Sequence, residues 1–381
     1  MHDHSQALFA IFIIFLAAQI GAEIAQRLRM PGVVGEIVAG CLIGPAVFNW
    51  VAADSALELL SEIGAVLLLF SVGLETKIKD LTSIGRTATF VGVLGVIVPF
   101  LVGSGWAYFS GFSSAKAMFL AAAFVATSAG ITARVLQELG VMGRVESKVI
   151  LGAAVIDDIL AMLLLGVVTA INAGGQVDIK SLLLVVGQAL AFVIIVGWLG
   201  ARVMKSSEDL LELPINPLSP LSLSLAACLG LAVLSAQIGL AAIIGAFLAG
   251  VVVAETRHQH QLEKQIQPIM VLIVPFFFVL TGMKVDLAAL SNWHAICTVL
   301  VLTLLASLSK VIGGGLGAAA LGFKSALIVG VGMVPRGEVG VIIASLGLAA
   351  GIFSPEMYAV VIAVSLLTSV VAPPLLKVLF R

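Results

Sequence analysis

The chain has 381 residues, 61% of them hydrophobic and 11% charged, whereas a soluble domain carries about 25% charged residues; a soluble globular protein is excluded. Its 20 Lys and Arg against 21 Asp and Glu give a net charge of -1, so the few charges that fall inside apolar runs become conspicuous. One membrane crossing takes about 20 apolar residues over about 30 Å of hydrocarbon, and this length holds about a dozen of them: an all-α polytopic protein of the lipid bilayer.

Met1 to Gln6 is acidic and His-bearing, and the apolar run behind it continues to Leu28 without a small-residue cleavage pattern. It reads as a retained first span, not a signal peptide. Apolar runs between charge and Pro/Gly clusters predict about thirteen spans, at roughly 6–28, 32–49, 57–74, 88–110, 116–136, 148–171, 181–203, 218–236, 238–254, 266–283, 293–321, 325–349 and 355–377. An odd number puts the termini on opposite sides. With the N-terminus outside, Arg27, Arg29, Lys77, Lys79, Arg86, Arg134, Arg144, Lys148, Arg202, Lys205, Arg257, Lys264, Lys324, Lys377 and Arg381 face or abut the cytoplasm, and Lys116, Lys180 and Lys284 lie outside. That asymmetry predicts a multi-pass protein of the cell inner or plasma membrane with a cytoplasmic C-terminus.

Gly35-Glu36-Ile37-Val38-Ala39-Gly40 in the second span echoes Gly245-Ala246-Phe247-Leu248-Ala249-Gly250 in the ninth, and Gly73 echoes Gly282. The spacing of about 210 predicts one membrane domain over 1–381 made of two repeats, about 6–171 and about 218–377, joined by a linker helix at about 181–203. The offset is an odd number of spans, so equivalent helices run in opposite directions. Such inverted repeats occur in secondary transporters, which bind substrate near the midplane between the repeats.

In the sixth span, Gly152-Ala153-Ala154-Val155-Ile156-Asp157-Asp158 places two carboxylates in mid-membrane, and the eleventh carries Lys310. Each such charge costs at least about 2.5 kcal/mol to insert, so each needs a partner or a purpose. Adjacent helical residues point about 100° apart; the simplest arrangement pairs one Asp with Lys310 and turns the other toward a wet cavity. Desolvation disfavours the charged form of acid and base alike, so a buried carboxylate is poised to take either a proton or a small cation, but not both. That exclusion suffices for an antiporter and calls for no cofactor. A structural ion pair is the competing reading of Asp157 with Lys310.

Two spans look broken. Ala126-Thr127-Ser128-Ala129-Gly130-Ile131-Thr132 concentrates hydroxyls in mid-membrane, and Gly332-Met333-Val334-Pro335-Arg336-Gly337-Glu338 brings a proline and two charges there. Glu338 suits the N-terminal ends of half-helices and Arg336 the C-terminal ends. Thr127 and Ser128 either coordinate the cation or bond back to their own helix. Gln19, Glu23 and Glu36 read as interfacial or helix-packing residues, and the five His fall in termini, loops or a membrane edge, away from any proton relay. Gly313-Gly314-Gly315-Leu316-Gly317 lacks the GK[ST] of a phosphate loop and reads as close helix packing. Cys41, Cys228 and Cys297 lie in apolar runs without a Cys-x-x-Cys or Cys/His cluster, so neither disulfides nor a zinc site is expected.

On Asp157-Asp158, Lys310 and Pro335-Arg336-Gly337-Glu338, together with Met30-Pro31-Gly32-Val33-Val34-Gly35-Glu36, Gly73-Leu74-Glu75, Ala126-Thr127-Ser128 and Thr132-Ala133-Arg134-Val135-Leu136, the chain resembles the membrane domain of the cation:proton antiporter superfamily. It is most similar to the NapA-type sodium/proton antiporters. The resemblance implies a homodimer, each protomer with a dimerisation domain and a mobile core that carries the ion by an elevator-like motion. It implies that Asp158 holds the transported Na⁺ or the proton, that Asp157 partners Lys310, and that Thr127 and Ser128 lie where two broken helices cross. Kef-type potassium/proton antiporters are the alternative, but they usually have Gln where Asp157 stands and a soluble nucleotide-binding domain after the last span; here the chain ends at Arg381. The expectation is electrogenic exchange of Na⁺ or Li⁺, with K⁺ as the alternative substrate, serving pH homeostasis, with no nucleic-acid partner. A cation channel is a further alternative. An intramembrane aspartyl protease needs carboxylates that converge, which adjacent residues on one helix do not do readily, and a Ser/His enzyme lacks its mid-membrane His.

Overall fold

The computed structural model describes residues 2–172, 179–200, 202, 219–284 and 292–381, and every regular element among them is helical. In chain order these are α1 (His2–Arg27), α2 (Gly32–Ile43), α3 (Ser55–Leu74), α4 (Ile78–Phe109), α5 (Ser114–Val125), α6 (Ala129–Glu138) and α7 (Val145–Asn172). Then come α8 (Ile179–Ile194) with a π-helical continuation Ile195–Gly200, α9 (Ser219–Gln237), α10 (Ala242–Val253) and α11 (Gln259–Met283). The chain closes with α12 (Trp293–Gly317), α13 (Phe323–Gly332), α14 (Glu338–Ala349) and α15 (Pro355–Leu379). The connections 173–178, 203–218 and 285–291, with Lys205 and Asp286, lie outside the described residues.

Nine helical stretches among the described residues are long and apolar enough to cross a membrane, counting α5 and α6 as one. The other four expected spans consist of shorter apolar helices. The reason is local: α2 has 12 residues, about 18 Å at the helical rise, and the chain then turns at Gly44-Pro45 instead of running on to residue 49.

Sequence marks several helix ends. Asp54 caps α3, its carboxylate accepting from Leu57 N at 2.8 Å, and Glu58 in the first turn meets the positive end of that helix. Ser354 caps α15 with Pro355 directly behind it, where a missing N–H costs nothing. α1 ends through Arg29 in the left-handed region, φ 61°, where Met30 N reaches back to Ala25 O at 2.8 Å.

The helices sort into two groups. α1, α2 and α3 pack with α9, α10 and α11; α4, α5 and α7 pack with α12 to α15, and α6 runs against α7. Contacts between the groups run through α2 and α3 on one side and α6 and α15 on the other. In the first group the helices touch at glycines, where backbones approach too closely for a side chain. A Cβ on Gly35 would strike Gly21 O of α1, and one on Gly245 would strike Leu231 O of α9. Gly40 and Gly282 close α2 on α11, and Gly250 and Gly73 close α10 on α3. Gly313 and Gly317 bring α12 onto α4, while Gly314 faces Gly330 of α13, as the sequence reading anticipates. The second group buries its own apolar cluster, which includes Phe119, Phe124, Leu165, Leu302, Ile343 and Ile362. Cys228 is buried and Cys41 and Cys297 are half-buried, all three as free thiols.

Candidate functional site

Both expected helix breaks are present, and they meet. α5 stops at Val125 and α6 starts at Ala129, with Ser128 as its N-cap and Ser128 Oγ accepting from Ile131 N at 3.5 Å. α13 stops at Gly332 and α14 starts at Glu338. Pro335 explains the second break, because it pushes Val334 out of the helical region and brings no N–H of its own. The two interruptions are stitched together by Ser128 N donating to Pro335 O at 2.7 Å. Thr132 Oγ1 donates to Gly332 O at 2.8 Å, and Thr127 Oγ1 to Met333 O at 3.4 Å. Thr127 and Ser128 therefore spend their hydroxyls on different work, the first across the crossing and the second as a cap. Gly337 stands against Ser128 so closely that a Cβ there would lie 2.7 Å from Ser128 Cβ.

Arg336 is buried in the crossing, 1% exposed. Its guanidinium donates to Phe124 O at the C-terminal end of α5 (2.5 Å), to Ala306 O of α12 (3.1 Å) and to Val334 O (3.1 Å). The carbonyls that end a half-helix have no intrahelical donor, and here the arginine supplies one. It also lies over the Phe124 ring, 5.7 Å from its centroid, and its own carbonyl accepts from Ser369 Oγ at 2.6 Å. The Glu338 side chain lies outside the described residues.

Beside the crossing, Lys310 Nζ donates to Asp157 Oδ1 at 2.7 Å, with both side chains wholly buried. Asp157 Oδ2 has no hydrogen-bond partner. Thr127, Arg336 and Asp158 complete the electrostatic surroundings of this pair. Room above it comes from Gly95 of α4, whose Cβ position lies 3.7 Å from Lys310 Nζ and 3.8 Å from Asp157 Oδ1. Among the described side chains, Asp157, Asp158, Lys310 and Arg336 sum to zero when all are ionised.

Asp158 takes the other direction, as helical geometry requires. It is 3% exposed and borders a cavity of 10 Å³ with Leu69, Ala129, Leu151, Val155, Ile243, Ile244 and Phe247. That is about the room of one water molecule; among the described residues the cavity bordered by this carboxylate is small and mainly apolar-walled, where a wet one was expected. A larger cavity of 410 Å³ shares Ile243 with it and reaches Arg336 and Gly337 from the start of α3, where Glu58 and Glu62 line it.

Sequence reading missed Gly95, Ser369 and the carbonyls of Phe124 and Ala306, none of which stands out in composition or motif. Glu36, read as interfacial or helix-packing, is 4% exposed among packed helices. Glu23 does lie at the surface, paired with Arg27 at 2.7 Å.

The family described as "Sodium/hydrogen exchanger, transmembrane" matches residues 11–381. The chain is 36% identical to the Na(+)/H(+)-K(+) antiporter GerN of Bacillus cereus, over 98% of this chain and 96% of that protein. It is 32% identical to the high-affinity Na(+)/H(+) antiporter NhaS3 of Synechocystis sp., over 98% and 90%. The solved structure of the sodium proton antiporter MjNhaP1 from Methanocaldococcus jannaschii at pH 8 superposes with a TM-score of 0.68, covering 100% of this chain and 96% of that one at 16% identity; this is a likeness of fold.

Proposed function

The chain belongs to the transmembrane sodium/hydrogen exchanger family, a multi-pass membrane transporter and not an enzyme, and from that premise we propose that it exchanges Na⁺ or Li⁺ for protons at Asp158. The observation that carries the proposal is the buried Asp157–Lys310 pair set between Asp158 and two helix breaks that face each other. A proton and a cation compete for the Asp158 carboxylate, so occupancy by one expels the other. Family membership sets aside the channel reading.

Charge balance supports electrogenic exchange. Adding a cation to a buried set of charges that sums to zero leaves an excess of one, and a desolvated excess charge is costly. Loss of a proton from Lys310 removes it: as the cation arrives at Asp158, Asp157 releases the ammonium and Lys310 deprotonates. The incoming cation also displaces the proton that the Asp158 carboxyl held, so two protons leave per sodium, one from Asp158 and one from Lys310. Arg336 stays charged and serves the half-helix carbonyls, with Glu338 as the compensating acid at the N-terminal end of α14. Thr127 and Ser128 complete the surroundings of the bound ion.

Access to the two sides alternates as α4 to α7 and α12 to α15 slide past the other group in an elevator-like motion, with α8 as the linker and a homodimer as the functional unit. The glycine contacts support the inverted repeats. Gly21, Gly35 and Gly40 recur as positions 231, 245 and 250, and the α2 on α11 contact recurs as α10 on α3. The fifteen-to-three charge bias supports an outside N-terminus. K⁺ is the second reading, favoured by the name of GerN, which includes that ion.

The test is proton flux into proteoliposomes read by an internal pH dye, with Na⁺, Li⁺ and K⁺ added in turn to the intact chain and to Asp158→Asn. A cation-triggered pH change that disappears in the variant is expected, and the responding ion names the substrate. A sodium gradient should also drive a current; flux without current reduces the exchange to one for one. Intact protein that answers to none of the three cations overturns the proposal.

A further inference from the structure

The boundary between the two helical groups differs at its two ends. Toward the start of α3 it holds the 410 Å³ cavity, lined there by Glu58, Ser61, Glu62, Thr281 and Lys284. Toward the end of α3 the groups are tied by polar side chains from the last turn of α6. Gln137 Nε2 donates to Ser71 Oγ at 3.2 Å and to Glu75 Oε1 at 2.8 Å. Glu138 Oε2 accepts from Gly32 N, at the start of α2, at 2.7 Å. α2 needs that acceptor, because its N-cap is Pro31, which has no side-chain oxygen, and first-turn N–H groups have no intrahelical partner. A carboxylate there also meets the positive end of the helix.

Arg134, one turn earlier on α6, holds Glu138 Oε1 at 3.0 Å. Glu36, one turn into α2, is buried, its Oε2 has no hydrogen-bond partner, and the charges acting on it are those of Arg134 and Glu138. Glu138 is thus bonded to the Arg134 guanidinium, and Glu36, on the opposite side of the boundary, lies within its electrostatic reach.

We propose that the last turn of α6 is a latch closing the boundary on the face of Arg27, Arg29 and Arg144: Glu138 and Gln137 hold it shut across Gly32, Ser71 and Glu75, and Glu36 loosens it by competing for Arg134. Glu36 and Glu138 therefore act with opposite sign. Removing the Glu138 carboxylate weakens the hold, whereas removing that of Glu36 leaves Arg134 to Glu138 alone and tightens it. The latch rests on the alternating-access reading above, since only a boundary that opens needs one.

The experiment places a reporter cysteine at Leu151, two turns before Asp158 on α7 and lining the same small cavity, in a background carrying Cys41→Ala, Cys228→Ala and Cys297→Ala. A membrane-impermeant maleimide is applied from the Arg27 face, and Val155→Cys serves as a second reporter. Glu138→Gln should raise the labelling rate about threefold, the population shift that a partly exposed ion pair is worth, and Glu36→Gln should lower it by a similar factor. Independently, joining Ser71→Cys and Gln137→Cys with a short bis-methanethiosulfonate cross-linker should stop cation-driven flux, and reductant should restore it. Labelling that is unchanged in Glu138→Gln, or that fails to fall in Glu36→Gln, overturns the latch. Cation-driven flux is recorded on the same preparations. Normal flux with unmoved labelling defeats the latch alone, whereas absent flux in the intact chain defeats the exchange reading.

Discussion

Between α5 and α6 the chain leaves the helix for Ala126, Thr127 and Ser128 and offers two hydroxyls; between α13 and α14 it leaves for Met333 to Gly337 and offers a proline, an arginine and a glycine. The first break is short and uncharged. The second is longer and sends a guanidinium back into the first, onto Phe124 O. In a bilayer no water reaches such carbonyls, so one break has to be satisfied by the other. The second break therefore carries most of the energetic burden of the crossing, and substitutions in it should cost more than substitutions in the first.

The largest effect is expected from Arg336→Ala. It strands Phe124 O at the end of α5 and Val334 O, while Ala306 O keeps Ser309 Oγ, at about 1–3 kcal/mol for each buried acceptor left unpaired, and cation-driven flux should vanish with it. Thermal unfolding in detergent measures the loss. Arg336→Lys should recover little, because the ammonium is a single compact point and lacks the planar fork whose two nitrogens reach these separated carbonyls.

Gly337→Ala comes next. Its methyl would collide with Ser128 Cβ, and overpacking of this kind costs about 1–3 kcal/mol. Adding Ser128→Gly removes the obstacle and should return part of the lost stability. A double variant as unstable as the single one would show that the second break has no packing dependence on the first.

Smaller still is Thr132→Val, which loses the 2.8 Å bond to Gly332 O, at about 1 kcal/mol. Thr127→Val should cost less, because its bond to Met333 O is long at 3.4 Å, but it should weaken the apparent affinity for the cation more than Thr132→Val does. Melting temperatures rank the two for stability, and the cation concentration giving half-maximal flux ranks them for transport. Equal melting losses for Arg336→Ala and Thr132→Val would erase the difference between the breaks.

By itself the sequence determined what membrane physics forces into the open. A chain that must bury apolar runs about 20 residues long shows its helices as runs, and a charge in such a run stands out because it costs so much to put there. Asp157, Asp158, Lys310 and Arg336 were legible for that reason, and Pro335 announced its break through lost helical geometry. The proposed repeat rests on Gly35, Gly40 and Gly73, which stand out because close backbone contact tolerates little else.

Only the tertiary structure decided which groups those residues meet. Helix directions and distances between spans are not written in a hydropathy pattern, so the residues alone left open which Asp meets Lys310; the resemblance implied Asp157, and the structure brings Lys310 Nζ onto it. The acceptors of Arg336 are backbone carbonyls, which every residue possesses and no sequence can single out. Gly95 matters through what it leaves empty, and Glu36 through its burial beside a helix far along the chain. Residue identity sets what chemistry is on offer; packing sets which donor reaches which acceptor once water is gone.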